Sequence, residues 1–399
     1  MSKPNILVLT STFPRWKNDV EPPFVFELSR RLTAWFNVHV LAPHAPGSLL
    51  LEEMSGLSVH RFSYAPSGWQ RLAYQGGILG NIRQSRQLIG LVPSFLLAQL
   101  LYAVRLVRKH SIDVIHAHWL FPQGMIALLA RTLAGGRAKV LCTSHGGDLY
   151  GLRGPIFGRV KKLVVDASDH LSVVSRSMRA DILKLGGSPG KISVVPMGVD
   201  LRSRFVPSNT IPRTESILFI GRLVEKKGLK YLLEAMPTVL RNRFQASLTV
   251  VGDGPSRHDL EKLASDLGLG TRVRFLGARK NEELPAIYQQ AAVVVFPSVV
   301  SSDGDREGFG LVLVEALGCG CAPVVTDLPA MMDIVKDKHT AMVVRQKNSG
   351  ELSKAILALL SNPGMRLAIA AEGRKHVLKN FDWPVIVDQY RSIIRSVME

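Results

Sequence analysis

Short apolar runs recur along this chain, each closed by glycine, proline or a polar residue and followed by helical spacing. Residues 6–9 read as a buried first strand. A loop with Pro14, Pro22 and Pro23 follows, and then Phe24, Leu28, Leu32 and Trp35 mark a helix over 24–36. Residues 38–41 read as a second strand. Such a strand, helix, strand opening puts a ligand crevice after the first strand. Further strands are expected at 113–117, 139–143, 171–175 and 192–195, with a helix at 124–133. The polar stretch 208–214, flanked by Pro207 and containing Pro212, reads as a linker. The rhythm then restarts. Strands are expected at 216–221, 247–251, 273–276, 293–297 and 323–326, with helices at 229–240, 259–267, 284–290 and onward to the end. The fold class is therefore α/β. The boundary is placed near residue 210, giving domains 1–209 and 210–399, with the last helix free to pack back on the first domain.

One stretch does not fit the alternation. Residues 88–107 are almost continuously apolar, long enough for a membrane span. Pro93 and Arg105 interrupt them and a strand follows at once, so a buried helix of an α/β domain is expected. Before it, Phe62, Tyr64, Trp69 and Tyr74 interleave with Arg61, Arg71, Arg83 and Arg86. A membrane-surface face and an ordinary loop-and-helix exterior both account for that run.

Charge sharpens the contrast between halves. The net charge is +18, and residues 1–205 hold 25 Lys and Arg against 11 Asp and Glu. Residues 206–399 hold 25 against 21. A basic first half points to an anionic partner: nucleic acid, an acidic leaflet or a phosphorylated substrate. No nucleic-acid recognition motif accompanies it. The 46 % hydrophobic content supports real cores. Cys142, Cys319 and Cys321 lack the spacing of a zinc site or a disulfide framework and read as buried thiols. The opening apolar run is too short for a signal peptide, so a cytoplasmic location is expected.

Candidate chemistry falls at the ends of the expected strands. Glu307 lies in a glycine-broken loop and Glu315 in an apolar run that starts a helix. Even a helical spacer separates their backbones by ~12 Å. Carboxylates that share one glycosidic bond stand roughly 5 to 9.5 Å apart, so the pair reads as two grips on one elongated ligand. A surface loop acid beside a solvated helix acid is the plainer reading. Arg222 and Lys227 lie in a glycine-bounded loop before a helix N-terminus, where two cations and backbone N–H groups suit a diphosphate. A solvated basic turn also fits that loop. Gly252-Asp253-Gly254-Pro255 is a tight strand-end turn. Neither a Walker P-loop nor a dinucleotide fingerprint is present. In the first half, His145 and Asp148 lie at a strand end, where α/β sites form. His116 and His118 are expected to face opposite ways along their strand and so not to form a metal pair. A diphosphate at Arg222 and Lys227, a ribose at Glu315 and a sugar at Glu307 would use the whole second-half constellation.

Taken together these segments resemble the family 4 glycosyltransferases, the large retaining group with the GT-B architecture. The matching segments are 221–228, 252–255, 296–298, 307–316 and 196–200, with 113–118 and 145–148 similar to first-domain motifs. The resemblance implies two Rossmann-like α/β domains facing each other across a central cleft. It implies that Arg222 and Lys227 hold the donor diphosphate with Gly252 close by, and that Glu315 binds the ribose. It implies that Glu307 contacts the donor sugar, with Gly308, Phe309, Gly310 and Leu311 offering backbone N–H groups. His145 would lie near the reacting sugar, and Arg15, His118 and Asp148 are acceptor-side candidates. No metal or cofactor is implied, because cationic side chains stabilise the leaving group. The activity implied is retaining hexosyl transfer from a nucleoside-diphosphate sugar. Its acceptor would be lipid-linked or a polysaccharide, with peripheral membrane contact through the basic first domain, on the inner face. A sugar-nucleotide epimerase and a non-catalytic sugar-nucleotide-binding protein are the alternatives. Two departures from the family pattern stand out. The loop 18–24 carries Pro22 and Pro23 where many relatives have paired glycines, and proline has no N–H to donate. Asp333 stands where relatives often have glutamate.

Overall fold

The computed structural model describes residues 3–16, 19, 23–74, 77–208 and 215–399. The chain forms two compact units. One runs to Pro196 and takes in Ile386–Glu399; the other is Met197–Val385. Residues 209–214 of the linker expected at 208–214, and Asn18 and Pro22 of the proline loop, lie outside the described residues.

The first unit is built on eight strands: β1 (Asn5–Leu9), β2 (Asn37–Pro43), β3 (Leu51–Met54), β4 (Leu57–Phe62), β5 (Val114–His118), β6 (Lys139–Ser144), β7 (His170–Val173) and β8 (Ile192–Val194). Their order in the sheet is β3-β4-β2-β1-β5-β6-β7-β8. Among the described residues only the β3–β4 pair is antiparallel. The central strands are fully buried because helices cover a parallel sheet on both faces; Ile6 to Leu9 and Val114 to His118 show almost no exposure. The strands at 51–54 and 57–62 were not expected from the pattern. The first is short and half-exposed, so its sequence carries no apolar run.

The second unit holds β9 (Ser216–Ile220), β10 (Ser247–Val251), β11 (Val273–Phe275), β12 (Val293–Phe296), β13 (Ala322–Thr326) and β14 (Met342–Val344). The order is β11-β10-β9-β12-β13-β14, all parallel. Leu232, Met236, Leu248, Val250, Val293 and Ile356 are among the buried residues of its core.

Both sheets therefore reverse direction of winding once: between β1 and β5 in the first, and between β9 and β12 in the second. Ligands of open α/β sheets bind outside the strand C-termini at such switch points. The loops that matter are those after β1, β5, β9 and β12.

Two expectations need correction. The helix at Val92–Lys109, entered through a tighter turn at Arg86–Leu91, is not buried all round. Phe95, Gln99, Ala103, Leu106 and Val107 face the fold, while Ile89, Leu97 and Leu101 are more than half exposed. A helix on the flank of a sheet buries one stripe only. Residues 86–109 are also long and apolar enough to cross a membrane by length and composition. The second correction concerns His116 and His118. Their rings lie 4.3 Å apart on the same face, because residues two apart on a strand point the same way.

Candidate active site

In the second unit the two loops at the switch point are stitched together. The loop after β9 forms a tight turn at Glu225–Lys227 and enters the helix Leu229–Asn242 through Gly228. Gly228 sits at φ +65, and a Cβ there would lie 1.9 Å from the carbonyl oxygen of Pro297, at the end of β12. Only glycine allows that conformation and that approach. The Val299 N–H bonds the Lys226 carbonyl at 2.8 Å. Ser302 donates to Glu225 through its N–H and its hydroxyl, each at 2.8 Å. Lys226 pairs with Asp305 at 3.1 Å. These bonds present the next acid, Glu307, to Lys227: Nζ to Oε2 is 2.9 Å, with both side chains mostly buried.

Lys227 and Glu307 are thus brought together, 80 positions apart in sequence. Arg222 is exposed on the same loop as Lys227. Gly252, after β10, has φ +135, and a Cβ there would lie 1.9 Å from the Gly221 carbonyl oxygen. The turn at 252–255 is therefore pressed onto the cation-bearing loop.

Residues 308–310 lead into the helix Leu311–Gly318. The N–H groups of Leu313 and Val314 bond the Gly310 carbonyl. Those of Leu311 and Val312 have no partner within the helix, as at a helix start. The Phe309 ring is buried 5.8 Å from Phe381, so only its backbone is available to a ligand. Glu315 is not a solvated helix acid. It is 6 % exposed and accepts a hydrogen bond from the Tyr288 hydroxyl at 3.0 Å. Burial pushes its carboxyl up to about 7, against the opposing effects of that bond and of the Arg204 charge. Arg204 itself keeps a buried Nη2 without a partner. Sequence reasoning missed Tyr288 and Arg204, which no motif ties to Glu315. Glu307 and Glu315 share no hydrogen-bonding partner among the described residues.

The first unit's switch point is different in kind. The His118 Nδ1 and His145 Nε2 are 2.9 Å apart, so one donates to the other. Their rings stack at 5.2 Å, with Phe24 and Trp119 against His145 at 4.8 and 5.3 Å. Trp119 has φ +80, a strained conformation for a residue with a side chain. His116 Nε2 is 2.8 Å from the Thr143 hydroxyl, which reaches Ser172 at 2.5 Å. Burial pushes His116 and His145 down to about 3, and His118 also falls well below the ordinary imidazole range. All three rings are neutral at pH 7. Asp148 accepts from the Leu120 N–H at 2.7 Å, the Ser144 hydroxyl at 3.0 Å and the N–H groups of Gly146 and His145. Burial raises its pKa and these bonds oppose the rise. It clamps the turn after β6 to the turn after β5. Arg15 bonds Asp19 through its N–H, Nε and Nη2 and lies over the rings of Trp16 and Tyr74.

Two parallel α/β sheets with paired-charge and histidine clusters at their switch points define the class: an enzyme of the GT-B architecture. The solved structures agree. Sucrose-phosphate synthase of Thermosynechococcus elongatus superposes with a TM-score of 0.80 at 22 % identity, over 99 % of both chains. Anabaena HepE in complex with UDP-glucose gives 0.75 at 18 %, over 98 % of this chain and 99 % of that one. Family profiles carry the assignment further. "Glycosyltransferase Family 4" matches residues 23–203 and "Glycosyl transferases group 1" matches residues 203–376. The chain belongs to the family 4 glycosyltransferases, and it is a glycosyltransferase. One relative is the GDP-mannose-dependent alpha-(1-6)-phosphatidylinositol monomannoside mannosyltransferase of Mycobacterium tuberculosis, 28 % identical over 73 % of this chain and 78 % of its own. Another is the N-acetyl-alpha-D-glucosaminyl L-malate synthase of Bacillus anthracis, 24 % identical over 77 % and 80 %.

Proposed function

We propose that the protein transfers a hexose, with retention of anomeric configuration, from a nucleoside-diphosphate sugar to a lipid-linked or glycan acceptor. The observation that carries this reading is the Lys227–Glu307 pair, 2.9 Å long and held between the loops after β9 and β12. A cation and a carboxylate fixed side by side suit the junction of a donor, diphosphate on one side and sugar hydroxyls on the other. Arg222 adds a second positive charge for the departing diphosphate, which cationic side chains stabilise without a metal. Gly252, pressed onto the loop after β9, and the N–H groups of 308–311 after β12 are further donor-side candidates, and Glu315 is the candidate for the ribose. His145 is the first unit's candidate for contact with the transferred sugar. Arg15, His118 and Asp148 remain its acceptor-side candidates. The mycobacterial relative, named for a mannosyl donor and a lipid acceptor, supports the choice of acceptor class.

The protein works at the inner face of a membrane, by peripheral contact. The support is the outward stripe of Ile89, Leu97 and Leu101 beside exposed Arg105, Arg108 and Lys109. An apolar stripe edged by arginines is the pattern of an interfacial helix.

The experiment is donor turnover with GDP-mannose and with UDP-glucose, with and without membrane lipid extract, in EDTA-containing buffer. Nucleoside diphosphate should appear only with acceptor present, and NMR of the product should show the donor's anomeric configuration. Consumption of donor without any acceptor would instead favour an epimerase.

A further inference from the structure

Three histidines of β2, β4 and the end of the helix Val92–Lys109 form a cluster that transfer chemistry does not use. His39 is on β2 and His60 on β4. The parallel register pairs His39 with Ser58 and Leu41 with His60, so both rings point to the same face of the sheet. The helix Val92–Lys109 packs on that face, and its last residue is followed by His110 as C-cap. The His110 carbonyl accepts from the Asn5 side chain at the start of β1. His110 thus lies by the start of β1, whereas the parallel register sets His39 level with Leu7 and His60 level with Leu9.

The rings of His39 and His110 are 4.1 Å apart, and His60 is 5.9 and 5.8 Å from them. One nitrogen of each ring lies within 4.8 Å of one nitrogen of the other two. His39 Nδ1, His60 Nε2 and His110 Nε2 are buried and have no hydrogen-bond partner. A buried nitrogen left unpaired is costly, and three orphans in one place require an explanation. Burial lowers the pKa of all three, His110 adds to the effect on His39 and His60, and Lys109 lowers all three further. Neutral imidazoles keep the lone pair that a metal needs.

We propose that His39, His60 and His110 form a site for a divalent transition ion of the zinc class. Three imidazoles suit Zn²⁺, Co²⁺ or Ni²⁺ better than Mg²⁺ or Ca²⁺, which prefer oxygen. Tetrahedral coordination at about 2.0–2.1 Å brings ligand nitrogens to about 3.3 Å from one another. Small ring rotations close the gap from 4.8 Å. Water takes the fourth position. The ion would tie β2, β4 and the end of the helix together, a structural staple outside the transfer site.

The test uses full-length protein with no affinity tag, stripped with EDTA and desalted. Zn²⁺ is titrated calorimetrically, Co²⁺ is followed by its visible absorption, and melting temperature is read with each. One Zn²⁺ per chain, an intense tetrahedral Co²⁺ band and a melting temperature that rises with Zn²⁺ are expected. Glycosyl transfer should be unchanged by the metal. His60→Asn and His110→Ala should each weaken Zn²⁺ binding at least tenfold and abolish the Co²⁺ band, with circular dichroism confirming the fold. Absence of Zn²⁺ binding in the parent overturns the site. So does unchanged Zn²⁺ affinity in either folded variant.

Discussion

The two switch points are built from opposite materials. The second unit's is charged: Lys227 against Glu307, Lys226 against Asp305, with Arg222 exposed beside them. The first unit's is built on uncharged rings: imidazoles kept unprotonated by burial and aromatic side chains, with one aspartate consumed by four donors. Yet the first half of the chain carries most of the +18 charge. Most of its cations are exposed, as on Val92–Lys109, and Lys161, which is buried, donates to backbone carbonyls of Leu149 and Leu152. Net charge reports what the outer surface meets, and local pairing reports where the chemistry is.

The largest test of that contrast is to remove one charge at the second switch point. Glu307→Ala leaves Lys227 partly buried and unpaired, and Lys227→Ala does the converse. Each should lower kcat/KM by on the order of 10²–10³-fold, as loss of a preorganised electrostatic contact does. Glu307→Ala should nonetheless spare nucleoside-diphosphate binding, measured by calorimetry, because the diphosphate cations are intact. Unchanged transfer by Glu307→Ala would falsify the assignment. His116→Asn, by contrast, removes no charge at pH 7 and should act on stability first.

Opposite materials also imply opposite responses to pH. Glu315 holds its proton up to about 7 in the fold, against an ordinary value of 4.5. The folded form then binds more protons than the unfolded chain between those values, so stability falls as pH rises through that window. The cost approaches about 3 kcal/mol above pH 7. His116 and His145 titrate near 3 in the fold, against an ordinary 6.5. There the unfolded chain binds more protons, so stability falls as pH drops below 6.5, by about 2 kcal/mol for each histidine at pH 5. Hydrogen exchange, corrected for intrinsic rate, should show peptides across 139–144 losing protection from pH 7 to pH 5. Peptides across 311–318 should lose it from pH 5 to pH 8. Glu315→Gln should flatten the second response and leave the first. A common direction in both units sinks the argument.

How much of this was readable in the chain follows from what each feature depends on. Strands whose apolar runs are bounded by glycine or proline came out at their true ends, as at Ser247–Val251, and so did the helix Leu284–Gln290. Two edge strands did not: Leu51–Met54 and Met342–Val344 are short and incompletely buried, so no run marks them, whereas the edge strands Ile192–Val194 and Val273–Phe275 were expected. The cations and acids of the second site were legible as residue types at strand ends. Their pairing was not, because Lys227 and Glu307 meet only through the β9–β12 register. The buried state of Glu315 depends on Tyr288, 27 positions away. The histidine triad depends on a strand register and a helix end together, and leaves no trace in spacing. The error over His116 and His118 was one of period, since alternation puts neighbours apart and next-neighbours together.

The smallest expected effect bears on where the first unit's charge resides. Leu97 and Leu101 are 58 % and 60 % exposed, one turn apart on the helix Val92–Lys109, with Arg105 a turn further on. The opposite stripe, Phe95, Gln99, Ala103 and Leu106, is what the fold needs. Leu101→Ser should therefore leave the melting temperature almost unchanged, since surface substitutions usually stay within about 0.5 kcal/mol. It should still weaken partitioning onto anionic vesicles several-fold, because apolar insertion is lost. Arg105→Glu should do the same through charge, at about 1 kcal/mol per basic residue near an anionic surface. Only the Arg105 effect should fade as salt is raised, because screening weakens charge and not apolar contact. Sedimentation with phosphatidylserine-containing vesicles at low and high salt separates the two. If both variants sediment like the parent while acceptor turnover is also unchanged, the outer helix carries no membrane contact and its charge serves another partner.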